Sequence, residues 1–219
     1  MKTHSFLSMY LILGLFLLPL VLVAQSNCKF RKTANQISIY TCERNDSNLN
    51  AVKATFQLDT TPSQYASIML DIDKYKEWNL ELSNTKIIKL LKNRELIYYF
   101  EVDAPWPIKD RFCVLRLKVE QDPTSKVMFI TQDIVPEMMS EKSGFVALKE
   151  FHSILTIIPI SKNRYKAEFF LKIDPGGVIP VWLTNMVTTR MPIKTYSNIF
   201  KRARELDQLK NEGSINNTL

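Results

Sequence analysis

The feature that most constrains the fold of this chain is the segment 174–205, which reads DPGGVIPVWLTNMVTTRMPIKTYSNIFKRARE. Gly176 and Gly177 provide the backbone freedom that a sharp reversal needs, and Pro180 suits a first helical turn because it has no amide proton to lose. The segment therefore predicts a strand-to-helix joint followed by a helix over residues 180–205. Apolar side chains recur along that helix at mostly three- and four-residue spacing. They are Ile179, Leu183, Met186, Val187, Ile193, Tyr196, Ile199 and Phe200. One face of the helix thus needs a large apolar partner, either a solid core or a cavity that holds a ligand.

The rest of the chain is long enough to supply that partner. Its 219 residues are 46% hydrophobic and 23% charged, which is typical of a globular protein with one good-sized core, and we expect a single domain. The net charge of +7 is spread along the chain, without the basic stripe and aromatic platforms of a nucleic-acid-binding surface. We therefore expect no nucleic-acid partner. The mild basicity indicates a solvated exterior or, as the alternative, transient contact with an anionic membrane surface.

The N-terminus predicts export. Lys2 precedes an apolar run over residues 6–23, and Ala24 is followed by polar residues. This pattern is typical of a secretory signal peptide over residues 1–24 that is cleaved after Ala24. Because the run is near the lower length limit for spanning a bilayer, an uncleaved membrane anchor is the alternative. We expect residues 25–210 to form a domain that is periplasmic or secreted, and residues 211–219 to form a flexible tail.

The three cysteines fit an oxidising compartment. Cys28 and Cys42 are candidates for a disulfide, because the segment between them can double back, and closing a loop of this size contributes roughly 3 kcal/mol. Cys113 lies in an apolar strand pattern, where a buried free thiol is the usual explanation. The sequence pairs no histidine with Cys113, so we do not interpret it as a nucleophile.

Alternation of apolar and polar residues predicts that most of the remaining chain is β-strand. The predicted strands cover residues 36–44, 49–59, 85–91, 95–102, 110–121, 126–134, 145–159 and 163–174. Thr60-Thr61-Pro62-Ser63 offers an N-cap for a short helix between the second and third strands, and Tyr75 and Trp78 beyond it are interpreted as core packing. This order predicts an α+β fold in which the terminal helix lies across one face of a single curved antiparallel sheet.

Three segments resemble a known family. The joint DPGGVIPVWLTNMV, the mid-chain segment DAPWPIKDRFCVL and the earlier segment DIDKYKEWN occur in an order and spacing similar to those of the StAR-related lipid-transfer (START) family. The resemblance covers roughly residues 36–205. It implies a helix-grip fold of the Bet v 1-like superfamily, in which a curved antiparallel β-sheet wraps around a long C-terminal α-helix. It also implies a tunnel for a sterol, a phospholipid or another apolar molecule. The chain departs from the family at Arg111-Phe112, where members often have Arg-Asp.

Strand parity places Arg111 on the apolar side of its strand. Within residues 110–121, Arg111 shares a face with Cys113, Leu115 and Leu117. A buried guanidinium without a partner is costly, so it must meet a carboxylate, a carbonyl or a ligand headgroup. Two interpretations therefore stay open, an internal ion pair within the protein and a ligand-orienting group.

The inward apolar faces of the predicted sheet and helix define the candidate ligand-binding residues. They are Arg111, Tyr98, Phe100, Leu115, Leu117, Phe169, Leu171, Trp182, Leu183, Met186, Val187 and Met138. Met138 is included because Met138-Met139 forms an apolar, pliable segment that could line an opening, although core filler is the alternative. Gly176 and Gly177 are the candidate hinge, because sheet and helix must separate to admit a bulky ligand.

An enzymatic function would rest on very few residues. His152 shares a strand face with Glu150, a pair that could carry acid–base chemistry, but a polar pair at the sheet surface is the more common explanation. His4 lies in the signal segment, so catalysis would depend on His152 alone. One histidine and cysteines without ligand spacing do not build a zinc site, and no glycine-rich phosphate loop precedes a helix. We therefore expect no metal and no cofactor.

The leading hypothesis is an exported, non-enzymatic protein that binds a lipid or another hydrophobic small molecule in an internal tunnel, for carriage or sensing. The alternative is a helix-grip enzyme, cyclase- or hydrolase-like, acting on an apolar substrate. It would need Arg111, Tyr98, Glu150 or His152 to converge in one pocket. A third hypothesis is an interaction module with a filled core that acts through its basic surface. The size and polarity of the space beneath the terminal helix distinguish the three.

Overall fold

The computed structural model describes residues 27–58, 60–79 and 81–216, without the side chains of Val181, Leu183 and residues 209–216. The predicted signal peptide, residues 1–24, lies outside the described residues, as do residues 217–219. Residues 211–216 continue the terminal helix, where the sequence predicts a flexible tail. The preceding sequence, LDQLKNE over residues 206–212, is rich in good helix formers, which accounts for the longer helix.

A large antiparallel sheet makes up most of the described chain. Its strands are β1 (Cys28–Ala34), β2 (Ile37–Cys42), β3 (Ala51–Leu58), β4 (Leu82–Lys92), β5 (Glu95–Val102), β6 (Asp110–Gln121), β7 (Met128–Ile134), β8 (Phe145–Ala147), β9 (Glu150–Ser161) and β10 (Arg164–Asp174). The strand order across the sheet is β1-β2-β3-β10-β9-β7-β6-β5-β4, and β8 pairs with β6 in parallel. The pairing of β3 with β10 joins the N-terminal strands to the meander that follows them.

The predicted strands match the structure best where one face is buried. β5 and β6 have the predicted bounds, and both are buried over most of their length. The prediction lacked β1, since most of its side chains are exposed and the strand carries no apolar alternation.

The predicted strand 145–159 is two strands in the structure. β8 ends before Leu148, whose backbone amide donates to the carbonyl of Phe112 on β6 (3.1 Å). The amide of the next residue, Lys149, donates to the carbonyl of Asp174 at the end of β10 (2.9 Å). The chain therefore changes its pairing partner at this point. That change depends on the tertiary arrangement, so the apolar pattern did not reveal it.

Short helices follow β3. The helix α1 (Pro62–Leu70) begins as predicted, with the Thr61 hydroxyl accepting from the Gln64 amide (3.2 Å). A 3₁₀ turn (Ile72–Lys74) leads into the single turn α2 (Tyr75–Trp78). The ring centroids of Tyr75 and Trp78 lie 4.5 Å apart, and both side chains are buried.

The terminal helix covers residues 181–216 but is not uniform. It consists of α3 (Val181–Asn185), a π-helical turn (Met186–Arg190) and α4 (Met191–Asn216). Pro192 has no amide proton and its ring would clash with the carbonyl of Thr188 in a regular helix. The π-helical turn directly before it relieves that clash, which is a common cause of such irregularities. The sequence predicted an uninterrupted helix, because the spacing of apolar residues does not distinguish a π-helical turn from regular α-helix.

The terminal helix packs its apolar face onto the sheet. Tyr196, Ile199 and Phe200 are buried there. The Phe56 ring on β3 lies 4.6 Å from the Tyr196 ring and 5.2 Å from the Phe200 ring, and the Phe169 ring on β10 lies 5.3 Å from Tyr196. This aromatic cluster anchors α4 across the centre of the sheet.

The cysteines take the predicted states. Cys28 and Cys42 face each other across β1 and β2 and form a disulfide. Cys113 is a free, buried thiol on β6, and burial raises its pKa to about 12. Among the described residues, no helix combines the length and the apolar character needed to cross a membrane.

Candidate functional site

A cavity of about 260 Å³ lies between the sheet and the terminal helix. Strands β5, β6, β7, β9 and β10 form its floor, and the π-helical turn and the start of α4 form its roof. Helices α1 and α2 and the loop residues 103–105 complete the wall. Most of the lining side chains are apolar, which is the chemistry of a site for a hydrophobic ligand.

The structure brings eight of the predicted ligand-binding residues together on the wall of this cavity. They are Arg111, Tyr98, Phe100, Leu115, Phe169, Leu171, Met186 and Val187. Strand parity and helical spacing placed these side chains correctly, because each faces the space between the sheet and the helix. Their contact with a ligand remains a prediction.

Three of the other four predicted residues, Leu117, Trp182 and Met138, do not line the cavity. Leu117 is fully buried further along β6, where the core is filled. Trp182 is 49% exposed, and the side chain of Leu183 lies outside the described residues. Met138 is 40% exposed in a 3₁₀ turn (Pro136–Met138), so the structure corrects its assignment as a cavity residue.

The position of Met138 follows from the face on which its turn lies. Val135, just before the turn, packs with Ile97 and Val114 in a small separate cluster. Ile97 and Val114 alternate with the cavity-lining Tyr98 and Leu115, so this cluster lies on the opposite side of the sheet.

The prediction missed much of the wall. The lining residues it did not name include Tyr65, Met69, Tyr75, Trp78, Asn79, Glu81, Asp103, Ile130, Gln132, Phe151, Ser153, Leu155, Met191, Pro192, Thr195 and Tyr196. Strand parity alone would have found Gln132 and Ser153, which are register partners on β7 and β9. The helical residues could not be found that way, since a core-facing and a cavity-facing helix have the same apolar pattern.

Arg111 is buried, with 7% of its surface exposed, and its partners are backbone carbonyls. Its Nε donates to the carbonyl of Pro175 (3.3 Å), one terminal nitrogen donates to Gly176 (3.2 Å) and the other donates to Lys109. No carboxylate in the described part of the chain lies within ion-pair distance of the guanidinium. Of the two interpretations left open by the sequence, the internal ion pair is therefore not formed. Arg111 instead ties the loop before β6 to the joint after β10, and burial lowers the pKa of its guanidinium.

The acids nearest to Arg111 in sequence have other partners. Glu101 accepts from Lys142 and from the Tyr99 hydroxyl (2.6 Å), and these contacts lower the pKa of Glu101 against the opposing effect of its burial. An Asp110 carboxylate oxygen accepts from the amide of Ala104 (2.9 Å). Neither acid forms an ion pair with the guanidinium, although the charge of Asp110 partly offsets the effect of burial on the pKa of Arg111.

Both glycines of the joint have φ of +68°. A Cβ on Gly176 would lie 2.9 Å from the carbonyl oxygen of Ala147, whereas a Cβ on Gly177 would meet nothing closer than Arg111 at 3.8 Å. Gly176 is therefore the more constrained position, because it combines left-handed backbone with contact against another strand.

The residues proposed for catalysis do not converge. His152 Nδ1 lies 2.6 Å from an Asp133 carboxylate oxygen on the outer face of the sheet, and Glu150 pairs with Arg44 (2.8 Å). Neither His152 nor Glu150 lines the cavity, whereas Arg111 and Tyr98 do. The constellation that the enzymatic hypothesis required is therefore not formed. Among the described residues, no group of His, Cys, Asp and Glu is placed to hold a metal ion.

Comparison with known proteins agrees with this architecture. The START domain family model matches residues 23–208. The chain belongs to the START domain family. Phosphatidylcholine transfer protein from Mus musculus is 26% identical over 69% of this chain and 72% of its own length. The Homo sapiens protein of that name is 29% identical over 58% of this chain and 60% of its own length.

Solved START structures have the same fold. The STAR-related lipid transfer protein from Xanthomonas axonopodis has a TM-score of 0.73 and 20% identity, covering 81% of this chain and 99% of that one. Human STARD10 has a TM-score of 0.70 and 17% identity. The match covers 85% of this chain and 76% of the STARD10 chain. The predicted α+β helix-grip fold, a curved antiparallel sheet with a long C-terminal helix, is confirmed.

The joint of this START domain yields a test of backbone constraint. We expect Gly176→Ala to lower the free energy of unfolding by more than about 2 kcal/mol, because left-handed strain adds to a contact with the Ala147 carbonyl. Gly177→Ala should cost about 1 kcal/mol from strain alone. Urea denaturation measures both values. Gly144→Ala is the matched control, since Gly144 has φ of +84° and open space around it. Equal losses at Gly144 and Gly176 would contradict the assignment.

Proposed function

We propose that this START domain binds one lipid molecule between its sheet and its terminal helix and transfers it between membranes. The observation that carries the proposal is the largely apolar cavity beneath the helix. Each methylene group that leaves water for such a cavity contributes about 0.8 kcal/mol, so acyl or sterol carbon is the natural occupant. The similarity to phosphatidylcholine transfer proteins supports a lipid as the ligand.

Uptake of a lipid requires the roof of the cavity to move. The volume of about 260 Å³ lies just below the range of about 300–1,000 Å³ that is usual for small-molecule sites. We define the lid as residues 178–190, which lie between the joint glycines and Pro192. Two glycines with positive φ precede the lid, and the π-helical turn forms its other end. Both features allow the lid to move away from the sheet while the aromatic cluster on α4 stays packed.

The rim of the cavity is suited to contact a membrane surface. Trp106 is 91% exposed in the loop before β6, and Val178 and Trp182 project from the lid. Lys109 and Lys149 are exposed beside them. Because Arg111 holds the loop and the joint together, these apolar and basic side chains lie at the same end of the domain. Tryptophan favours the bilayer interface, and lysine favours anionic headgroups.

Export of the protein is part of the proposal. The apolar run over residues 6–23 and the polar residues after Ala24 support a cleaved signal peptide. The Cys28–Cys42 disulfide supports an oxidising compartment, since such bonds are rare in reducing ones.

Bulky substitutions in the roof should block uptake of the lipid. We expect Val187→Trp to lower the amount of lipid extracted with the purified protein about tenfold, because the indole fills the cavity. The free energy of unfolding should change by less than about 1 kcal/mol, since the space for the ring already exists. Lipid extraction with mass spectrometry measures occupancy, and urea denaturation measures stability. Asn185→Trp, on the exposed side of α3, is the control. Full occupancy in the Val187 variant, or no lipid in the native protein, would overturn the proposal.

Removal of the tryptophans at the rim should weaken membrane contact. We expect Trp106→Ser and Trp182→Ser each to lower binding to vesicles of phosphatidylcholine with phosphatidylserine about tenfold. Leu90→Ser is the control, because Leu90 is exposed on β4 and pairs with Leu96 at the start of β5, whereas the loop that carries Trp106 follows the other end of β5. Vesicle co-sedimentation reads out the effect. A loss in the Leu90 variant as large as that in the tryptophan variants would contradict the assigned surface.

The exported protein should have a defined mass. We expect intact-protein mass spectrometry of the natively produced chain to show the loss of residues 1–24 and a mass two hydrogen atoms below that of the reduced form. An intact N-terminus recovered with the membrane fraction would favour the anchored alternative.

A further inference from the structure

Buried polar atoms without partners gather on the cavity wall. Among the described residues, five buried side-chain atoms have no hydrogen-bond partner, namely Thr60 Oγ1, Tyr65 Oη, Trp78 Nε1, Asn79 Oδ1 and Glu81 Oε2. All of these except Thr60 belong to side chains that line the cavity. Buried polar groups in folded proteins are almost always satisfied, so each exception needs an explanation.

Three of these residues lie next to one another where α2 leads into β4. We call Trp78, Asn79 and Glu81 the polar subsite. α4 holds it in place, because Asn198 Nδ2 donates to the carbonyl of Trp78 (2.8 Å) and Lys194 Nζ lies 2.9 Å from Glu81 Oε1. The second carboxylate oxygen of Glu81 is left without a partner.

The backbone of the polar subsite is also held from the sheet side. The amide of Asp103 donates to the carbonyl of Glu81 (3.1 Å), and the amide of Leu82 donates to the carbonyl of Asn79 (3.1 Å). Trp78 is only 4% exposed. These contacts restrain the backbone. The unpartnered side-chain atoms are therefore the groups of the polar subsite that can still form hydrogen bonds.

Two other polar groups of the cavity already have partners, whereas the Tyr65 hydroxyl on α1 has none. The Tyr98 hydroxyl donates to Gln132 Oε1 (3.1 Å), and the Arg111 guanidinium donates to three backbone carbonyls. The polar subsite holds three of the four unpartnered buried atoms of the described wall, so it is the part that gains most from a polar group on the ligand. Its free atoms are one donor, Trp78 Nε1, and two acceptors, Asn79 Oδ1 and Glu81 Oε2.

We propose that the polar subsite binds a hydrogen-bond-donating group at the polar end of the lipid, a primary ammonium or a hydroxyl. This inference rests on the proposed lipid-binding function and deepens it. The two acceptors need N–H or O–H groups from the ligand, which a quaternary ammonium cannot supply. When the roof lifts to admit the lipid, the free atoms of the subsite become reachable and find partners on the ligand. Lipids with a donor are therefore selected over those without one.

Three lipids with identical dioleoyl chains test the selection. The purified full-length mature protein is mixed with vesicles that contain phosphatidylethanolamine, diacylglycerol or phosphatidylcholine, and the bound lipid is quantified by native mass spectrometry. We expect at least about tenfold more binding of one or both donor-bearing lipids than of phosphatidylcholine. A preference for phosphatidylethanolamine identifies the group as an ammonium, and a preference for diacylglycerol identifies it as a hydroxyl.

Two variants connect that selection to the subsite. Glu81→Gln replaces the free carboxylate oxygen with either an amide donor or a weaker acceptor, and should reduce the preference to less than about threefold. Asn79→Ala removes the other acceptor and provides a second readout if the Glu81 variant fails to fold. Glu77→Gln is the matched control, because Glu77 is exposed on α2 and pairs with Arg202 outside the cavity (3.2 Å).

The outcomes separate this inference from the proposed function. Binding of none of the three lipids would overturn the inference, and together with no lipid in the extract of the native protein it would also overturn lipid binding itself. Equal binding of all three lipids, or a preference for phosphatidylcholine, would overturn the inference and leave lipid binding in place. A preference that survives in both the Glu81 and Asn79 variants would also overturn the role of the polar subsite.

Discussion

The structure depends on the apolar contact between the terminal helix and the sheet. Phe56 and Phe169 on the sheet meet Tyr196 and Phe200 on α4, and this cluster anchors one helix across strands from both halves of the chain. Aromatic groups bury large apolar areas, so the contact contributes to the stability of the fold. Without it, the face of the sheet that lines the cavity would be exposed to water.

The cavity exists because this contact involves only part of the helix. Around Phe200 the helix and the sheet pack solidly, whereas at Met186 and Val187 the helix spans open space. Near that end, Arg111 donates hydrogen bonds that hold the loop before β6 against the joint after β10. The packed anchor and the open space thus lie at different positions along one helix, which is the arrangement that the proposed lid movement requires.

Physical patterning explains which site residues were predictable. Tyr98, Leu115 and Phe169 were found because the direction of a strand side chain alternates strictly, whatever lies above it. Leu117 shares the face of Leu115 yet lies in filled core, since parity gives direction but not free volume. Trp78 lines the cavity but was interpreted as core packing for the same reason. A side chain that packs in a core and one that lines an apolar cavity are both apolar.

The sequence by itself determined the fold class, the strand-to-helix joint and the side of β6 on which Arg111 lies, and it made Cys28 and Cys42 candidates for a disulfide. These properties follow from periodicity, from residue type and from family resemblance. All three can be read from individual segments of the sequence. Only the tertiary structure decided that Arg111 bonds to carbonyls and that buried polar atoms collect at Trp78, Asn79 and Glu81. The physical reason is that hydrogen-bond satisfaction and empty volume depend on groups from distant segments, which no local pattern specifies.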